Sequence, residues 1–551
     1  METILNEHTE RKIKNLLMNF IKIKSHTKTV LERDIEKYLL ERLQEMDYFK
    51  SNSMNLGVYP LKNDALERSV IWGLVKGKGK KTVILVHHHD TVDTDDYHTL
   101  REWAYNPDLL AEKLRDIELT KEVRDDLESG EWIFARGSAD MKAGMAIQTV
   151  LLEEFSKQEE VEGNILLLSV PDEENLSWGM RSSVALLEEL KERFDLDYIL
   201  LIDSETHLRE EMNTGIFHTG SVGKMLPVVY VRGRKTHSGD IFQGFNPVVL
   251  LSQIAIETEL NTNFSDVVED AVSPPPSWSF FRDDKRFYDA SIPEAAGGYF
   301  SILTLKKTPK VVMEQLEEIC TQAFESVICR MNKSFSHYQE MGNRSGEKLL
   351  WKTNVKTFAQ IFKEAIDQSG EKFLDDYRLT IEKLKVDIDN AAISIPESNL
   401  ALISKTLEYI SDKTPVVVIA ISPPYYPHVS LDDFKHQDLT GLDKVIKEIA
   451  NKVCNETYKK SGYYFGLSDM SYTALNNSEE IIPHIKSNMP LFENIYDFPC
   501  EGMKRLSIPS INIGPWGKDL HKFTERVLEK DLVRQTPKLL EGVIQHILKN
   551  G

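Results

Sequence analysis

Short apolar runs alternate with helical patterns through the first 200 residues, and this order constrains the fold more than any other feature. Apolar runs bounded by Gly, Lys or polar turns predict buried strands at 69–75, 82–86, 164–170 and 198–202. Helical spacing of apolar residues predicts helices at 6–20, 30–46, 143–157 and 181–193. Strand–helix–strand order predicts an α/β domain with a mainly parallel central sheet. In such sheets, polar residues just beyond the carboxyl ends of strands are the expected site of chemistry.

The pattern changes after Gly220, where an α+β domain is predicted to interrupt the α/β domain. It has predicted strands at 226–231 and 299–305 and predicted helices at 247–260 and 311–332. Its Pro- and aromatic-rich segment 273–284 is predicted to be a surface loop, and residues 333–409 are polar, mostly helical and free of motifs. Strand–helix alternation resumes at 415–421. The predicted division is therefore 1–222 and 412–551 for the α/β domain, and 223–411 for the α+β domain with a helical elaboration.

Composition excludes several classes of protein. The net charge of −20 argues against a protein that grips nucleic acid phosphates or an anionic membrane. No run of 18 apolar residues predicts a transmembrane helix, and four scattered cysteines cannot form a disulfide framework or a Cys-based zinc site. The N-terminal segment carries charges throughout, unlike a signal peptide. These features predict a soluble, cytoplasmic protein.

Two motifs near the start of the α/β domain contain candidate metal ligands. In LVHHHDTVD, His88 and Asp90 follow the strand at 82–86, and this pair suits a metal-binding imidazole whose other ring nitrogen is oriented by a carboxylate. In ARGSADMKAG, Asp140 lies in a Gly- and Ser-rich turn before a helix, where its carboxylate could bridge two cations. Each motif alone has an ordinary alternative: surface polarity for the histidines and a helix N-cap for Asp140.

A third motif, SVPDEENLSWG, places three consecutive acids at the end of the strand at 164–170. Acid runs usually belong to solvated surfaces. At a strand terminus, however, Asp172, Glu173 and Glu174 repel one another unless cations or a proton compensate their charges. One carboxylate can then bind a metal ion while its neighbour takes a proton from water.

Two further motifs complete the set. In YILLIDSET, Asp203 directly follows a predicted strand and is the preferred ligand, with Glu205 as the alternative. In GPWGKDLHKFTE, His521 precedes Glu525 by four residues. A lone histidine there is more often a surface residue than a ligand. Five such motifs in order favour a two-metal site.

These motifs resemble the signature elements of peptidase family M20, a family of dinuclear zinc hydrolases, across nearly the whole chain. HHHD, ARGSADMKAG, PDEEN, ID and HKFTE match in order, and RGRKTHSGDIFQGFNP at 232–247 is similar to the lid-domain motif. HHHD, SADMKAG, SPPYYP and the long chain are most similar to the arginine-utilisation RocB-type branch. The resemblance implies that the α/β domain is catalytic and that the α+β domain is a lid or dimerisation domain.

The resemblance also implies a role for each candidate residue. The implied metal ligands are His88, Asp140, Glu174, Asp203 and His521, with Asp140 bridging two divalent ions, His88 and Asp203 completing one site, and Glu174 and His521 the other. An all-nitrogen-and-oxygen ligand set suits zinc and also admits cobalt or manganese.

The remaining roles concern catalysis. Glu173 is the implied general base and acid, and Asp90 is implied to hold the His88 ring. His237 from the lid, with Asn246, is implied to stabilise the oxyanion of the substrate. Because the lid histidine often acts across a dimer in this family, the resemblance is compatible with a homodimer through the lid.

The implied function is metal-dependent hydrolysis of a small peptide or N-acyl amino acid, with water activated by two metals and a glutamate base. Dipeptidase, aminopeptidase and deacylase activities all remain open. The alternatives are a non-catalytic metal-binding member of the same fold and a dinuclear aminopeptidase of a related clan. At GLSDMSYTAL the family often carries an arginine that is missing here, so substrate recognition should differ from that of the carboxypeptidase-like members.

Overall fold

The computed structural model describes residues 4–209, 211, 213–344, 346, 348–435 and 439–549. In this part of the chain the strands are β1 Leu56–Pro60, β2 Ser69–Lys76, β3 Lys78–His88, β4 Trp132–Phe134, β5 Glu162–Val170, β6 Asp197–Asp203, β7 Thr214–His218, β8 Gly220–Ser221, β9 Gly223–Arg232, β10 Val267–Val268, β11 Ala271–Val272, β12 Ser277–Asp283, β13 Ala295–Thr304, β14 Val355–Thr357, β15 Val416–Tyr426, β16 Val429–Ser430, β17 Thr457–Ser461, β18 Ser510–Asn512, β19 Gly517–Lys518 and β20 Arg526–Leu528.

The α-helices of the same described residues lie between and after these strands. They are α1 Glu7–Lys22, α2 Glu32–Gln44, α3 Asp47–Ser51, α4 Pro107–Leu114, α5 Lys121–Ser129, α6 Lys142–Ser156, α7 Trp178–Phe194, α8 Pro247–Thr258, α9 Pro309–Met341, α10 Phe358–Asp389, α11 Ile395–Glu408, α12 Leu442–Cys454, α13 Ser478–Asn488, α14 Cys500–Leu506 and α15 Thr536–Lys549.

The chain divides into two compact units. The first comprises Met1–Val222, Val429–Asn476 and Pro499–Gly551. The second comprises Gly223–His428 and Asn477–Phe498. Residues 412–428 and 477–498 thus belong to the second unit, whereas the sequence analysis placed them in the α/β domain.

A mixed sheet forms the centre of the first unit. Within the described residues its eight strands run in the order β1-β2-β5-β3-β6-β18-β7-β17. The four adjacent strands β5, β3, β6 and β18 are mutually parallel. Strand β1 pairs antiparallel with β2, β2 with β5, and β18 with β7. The α/β class is confirmed, and the mainly parallel pairing predicted for the sheet is found in its four central strands and in the β17–β7 pair.

Burial explains why these central strands are almost entirely apolar. Residues 83–86 of β3 are fully buried, as expected for a parallel strand covered on both faces. One face of the strand, including Val83 and Leu85, packs in a single core with residues of α1, α6 and α15. The sheet is thereby held rigidly beneath the loops that follow its carboxyl ends.

A small second sheet in this unit, of the order β19-β20-β4, connects distant parts of the sequence. Val527 of β20 pairs with Ile133 of β4 and with Gly517 of β19. The turn after β4 contains Asp140, and the loop between β19 and β20 contains His521. This pairing brings together two segments that lie nearly 400 residues apart in the sequence.

The second unit is built on a sheet of the order β12-β13-β9-β15-β14. The segment predicted to be a surface loop contains strand β12, because its aromatic residues pack against β13: the rings of Trp278 and Phe300 lie 5.0 Å apart, and Phe280 stacks on Tyr299 at 5.2 Å. The prediction of a loop there was wrong. Strand β15 pairs antiparallel with β9, which explains why this apolar run belongs to the second unit.

Helices α10 and α11 account for most of the polar segment that carries no motif. Their apolar faces, including Phe373 and Leu402, form one core with β-sheet residues such as Val228 and Val418. In the part of the chain that the structure describes, no helix combines the length and apolarity needed to cross a bilayer.

Shortening one buried leucine of β3 tests the packing of the core against the central sheet. We expect Leu85→Ala to lower the free energy of unfolding by about 2–5 kcal/mol, because it leaves a cavity in a packed core. Leu379→Ala is the matched control, since Leu379 is 68% exposed on α10. Urea unfolding followed by circular dichroism measures both; equal effects would contradict the burial of β3.

Candidate active site

The loops after three adjacent parallel strands contribute the candidate site in the first unit. His88 is the last residue of β3 and lies opposite Val170 of β5, while Val86 lies opposite Asp203 of β6. Glu173 and Glu174 follow β5, and Glu205 follows β6. Because neighbouring parallel strands end at the same edge, side chains that are far apart in sequence converge there.

Asp140 lies between two groups of candidate ligands. Its Oδ1 is 3.0 Å from His88 Nε2, and its Oδ2 is 3.1 Å from His521 Nε2. Each oxygen of one carboxylate therefore faces a different histidine. This is the arrangement that a carboxylate bridging two cations requires.

Each histidine is accompanied by a second carboxylate. Glu205 Oε1 lies 3.2 Å from His88 Nε2, and Glu174 Oε2 lies 3.0 Å from His521 Nε2. In each of the two groups, His88–Asp140–Glu205 and Asp140–Glu174–His521, the potential ligand atoms lie within 4.8 Å of one another. The geometry thus brings together four of the five residues that the sequence analysis named as ligands.

Asp203, the fifth, is in neither group, and Glu205 takes the place expected for it. The Asp203 carboxylate accepts hydrogen bonds from Ser468 Oγ and, at 2.8 Å, from the Ser204 backbone N–H. These bonds hold the shorter side chain away from His88. The longer Glu205 side chain reaches His88 from two residues further along the chain.

Asp90 supports the site in two ways. Its backbone carbonyl oxygen lies 3.0 Å from His88 Nδ1, closer than its carboxylate at 3.5 Å. The carboxylate accepts the backbone N–H groups of Glu173 and Glu174 at 3.1 and 3.2 Å. Asp90 therefore positions both a histidine and the loop after β5.

The three consecutive acids after β5 have different surroundings. Asp172 accepts a hydrogen bond from Arg68 Nη1 at 2.7 Å and one from the Trp178 backbone N–H at 3.2 Å. It anchors the loop, whereas Glu174 faces His521. Glu173 lies between Asp172 and Glu174 in the sequence and belongs to neither group of candidate ligands.

Two residues that the sequence analysis gave no role hold the Asp140 turn. Glu525 accepts backbone N–H groups from Ala139 at 3.0 Å and Asp140 at 3.1 Å. Its other carboxylate oxygen accepts a bond from Arg136 Nη1 at 2.7 Å. Both residues lie inside the motifs that the sequence analysis recognised, and this position could have marked them as part of the site. Their pairing, however, depends on the contact between β4 and β20.

The site contains more negative charge than its own residues neutralise. Burial raises the pKa of the Glu173 carboxyl well above its ordinary range and does the same for Glu205. Burial, with the Asp140 charge adding to it, raises the pKa of Glu174 to about 7. Desolvated like charges of this kind require a cation or a proton.

Unpaired ligand atoms test whether metal ions fit. Among the described residues, Glu174 Oε1 and Glu205 Oε2 are buried without a hydrogen-bond partner. The available donors are imidazole nitrogens and carboxylate oxygens, a set that suits zinc, cobalt or manganese. Two divalent cations sharing Asp140 therefore fit both the charge and the free ligand atoms.

His237 and Asn246 lie in the second unit. His237 is exposed in the loop between β9 and α8, where its Nδ1 accepts the Gly239 backbone N–H at 3.1 Å. Asn246 caps α8, accepting the Val248 backbone N–H at 3.0 Å through Oδ1. Their implied role with the substrate oxyanion stays a prediction.

Comparison with known proteins identifies the family. The model of peptidase family M20/M25/M40 matches residues 84–486 of the chain. The chain belongs to this family. Membership makes it a metallohydrolase that acts on peptide bonds, as the sequence predicted. The family depends on two metal ions, and the chain contains two groups of candidate ligands for them.

Relatives from Bacillus subtilis (strain 168) support the narrower resemblance. This M20 chain is 31% identical to the uncharacterized protein YqjN, over 99% of this chain and 98% of that protein. It is 29% identical to protein RocB, over 98% of this chain and 95% of that protein. The predicted similarity to the RocB-type branch is thus confirmed.

A solved structure supports the fold. The M20 family metallo-carboxypeptidase from Sulfolobus solfataricus superposes with a TM-score of 0.54 at 13% identity, covering 97% of this chain and 99% of that one. At this identity the match concerns the fold alone.

Substituting the two candidate ligands after β6 distinguishes them. We expect Glu205→Gln to leave close to one ion per chain. Zinc binding should weaken by more than about tenfold, because even a residue that only orients a metal ligand typically costs that much when it is replaced. Asp203→Asn should retain two ions, because its carboxylate is engaged by Ser468 and Ser204. Metal content after dialysis, measured by plasma mass spectrometry, decides; the reverse result would restore Asp203 as the ligand.

Proposed function

We propose that this M20 protein hydrolyses small peptides or N-acyl amino acids, with Glu173 as general base and acid. The observation that supports it is the Asp140 carboxylate shared between two ligand groups, beside a buried glutamate that belongs to neither. The proposed ligands are His88, Asp140 and Glu205 for one ion and Asp140, Glu174 and His521 for the other. Zinc is the favoured ion.

The chemistry divides between the ions and the protein. When bound, two divalent ions lower the pKa of water and polarise the amide carbonyl. Glu173 accepts the proton that the attacking water loses and returns it to the leaving nitrogen.

His237 and Asn246 are proposed as hydrogen-bond donors to the oxyanion of the tetrahedral intermediate. This part of the proposal rests on the lid motif alone. A homodimer through the second unit is proposed on the same ground, and light scattering of the purified protein tests it.

Substrates with a cationic group are the first candidates. The similarity to RocB motivates arginine-containing dipeptides and N-acyl-arginine, and the excess of acidic residues is compatible with such a charge. The test is hydrolysis of a panel of dipeptides and N-acyl amino acids, with and without added zinc, cobalt or manganese. Absence of any metal-dependent cleavage across the panel would contradict the proposed substrate class.

Removing the base should separate catalysis from metal binding. We expect Glu173→Gln to retain two metal ions while kcat falls by about 100- to 10,000-fold, because only the proton transfer is lost. Glu174→Gln is the matched control and should lose metal, since Glu174 faces His521 in a ligand group. Metal content and steady-state kinetics measure both; loss of metal from Glu173→Gln would refute the division of roles.

Chelation gives a reversible test of the ions. Dialysis against a strong chelator should abolish hydrolysis, and added zinc should restore it, because the proposed mechanism relies on the ions to activate water and polarise the amide carbonyl. Activity that survives complete metal removal would contradict a metal-dependent mechanism.

A further inference from the structure

A cavity in the second unit, lined by none of the candidate ligands, has a volume of about 1070 Å3. It is bordered by the start of the loop after β9, by the end of α9 and by the segment that precedes β14. A space of this size accommodates an organic molecule of a few hundred daltons. We refer to it as the Trp351 cavity.

Three cationic side chains of this cavity lack acidic partners. Among the described residues, Arg234, Lys348 and Lys352 line it, and none forms an ion pair with a carboxylate. A fourth cation, Lys356, is neutralised by Glu364 at 2.6 Å. In a chain with a net charge of −20, such a cluster is a local positive region that attracts anions.

One acidic residue, Asp412, also lines the cavity, and its carboxylate is hydrogen-bonded within its own segment. The carboxylate of Asp412 accepts the backbone N–H of Thr414 at 2.8 Å. It closes a turn of its own segment and forms no ion pair with the three cations in the part of the chain that the structure describes. Its one negative charge stands against three cations that have no acidic partner among the described residues, so the lining is net positive.

An aromatic surface lies beside the cations. The Arg234 guanidinium is 5.7 Å from the centroid of the Trp351 ring, which packs edge-on against Phe245 at 5.7 Å. Trp351 Nε1 is buried without a hydrogen-bond partner among the described residues. A second ring, that of Phe335, also lines the space. Flat heteroaromatic rings stack on such side chains.

Amide side chains complete the lining. Gln243, Gln339 and Asn354 line the same space. The Gln243 Nε2 donates to Asp240 at 3.4 Å, and the amides together still offer both donors and acceptors, as the edge of a nucleobase requires. Arginine and lysine are the usual partners of phosphate. A lone phosphate would leave the rings and amides unused, and a neutral base would leave the cations unpaired.

We propose that the Trp351 cavity binds a nucleoside phosphate, with the phosphate near Arg234 and Lys352 and the base among the rings and amides. The backbone of Arg234 pairs with Phe245 in both directions, at 2.9 and 3.0 Å, and this pairing closes the loop that contains His237. A ligand bound to the Arg234 side chain therefore lies at the start of that loop. The site is independent of the hydrolytic function proposed above.

Calorimetric titration of the metal-loaded full chain with AMP, adenosine and inorganic phosphate tests the proposal. We expect one AMP per chain, with adenosine and phosphate each binding at least about tenfold more weakly, because each supplies only part of the complementarity. Phosphate or adenosine binding as tightly as AMP would overturn the assignment to a nucleotide.

Variants locate the binding. Arg234→Gln and Lys352→Gln should each raise the Kd for AMP about tenfold, the loss expected for one hydrogen bond to a charged group. Lys363→Gln, an exposed lysine of α10 outside the cavity, should leave it unchanged. Since both target residues are exposed, folding should be preserved, and melting temperature checks this. AMP binding that neither variant weakens would overturn the proposal; this is the result expected if AMP bound at the metal ions instead.

Discussion

The first unit is organised around a cluster of buried negative charge. Asp140, Glu173, Glu174 and Glu205 converge where three parallel strands end, and two histidines accompany them. Burying one ionised carboxylate is costly, and burying several together is costlier still unless cations are present. The buried carboxylates therefore require compensating cations or protons, which divalent ions would supply, and the geometry of the site depends on the surrounding hydrogen bonds.

Those hydrogen bonds come from ion pairs placed just outside the ligand groups. Arg136 and Glu525 hold the turn of Asp140. Arg68 bridges Asp172 at 2.7 Å and Glu32 at 2.9 Å, which anchors the loop after β5. Buried pairs like these add little net stability but fix positions, because breaking one leaves an uncompensated charge. They convert flexible loops into a preorganised set of ligands.

The second unit follows a different principle. Its sheet and helices α10 and α11 share one apolar core, while His237 lies on an exposed loop and a group of cations lines the Trp351 cavity. The first unit concentrates buried carboxylates, and the second has cations without acidic partners, within the described part of the chain, around the Trp351 cavity. Separation of the two types of charge within one chain suits the binding of chemically different ligands.

Apolar runs and polar strand ends are local signals, and they were enough to predict the α/β class and the sheet edge where chemistry would lie. The ordered motifs contained His88, Asp140, Glu174 and His521, which the structure brings together in two groups of potential ligands. The tertiary structure placed Glu205 rather than Asp203 beside His88, because Ser468, more than 260 residues away in the sequence, engages the Asp203 carboxylate. It also decided that β15 pairs with β9 and that segment 277–283 is a strand. Strand pairing and competition for hydrogen bonds depend on contacts between distant segments, which no local pattern contains.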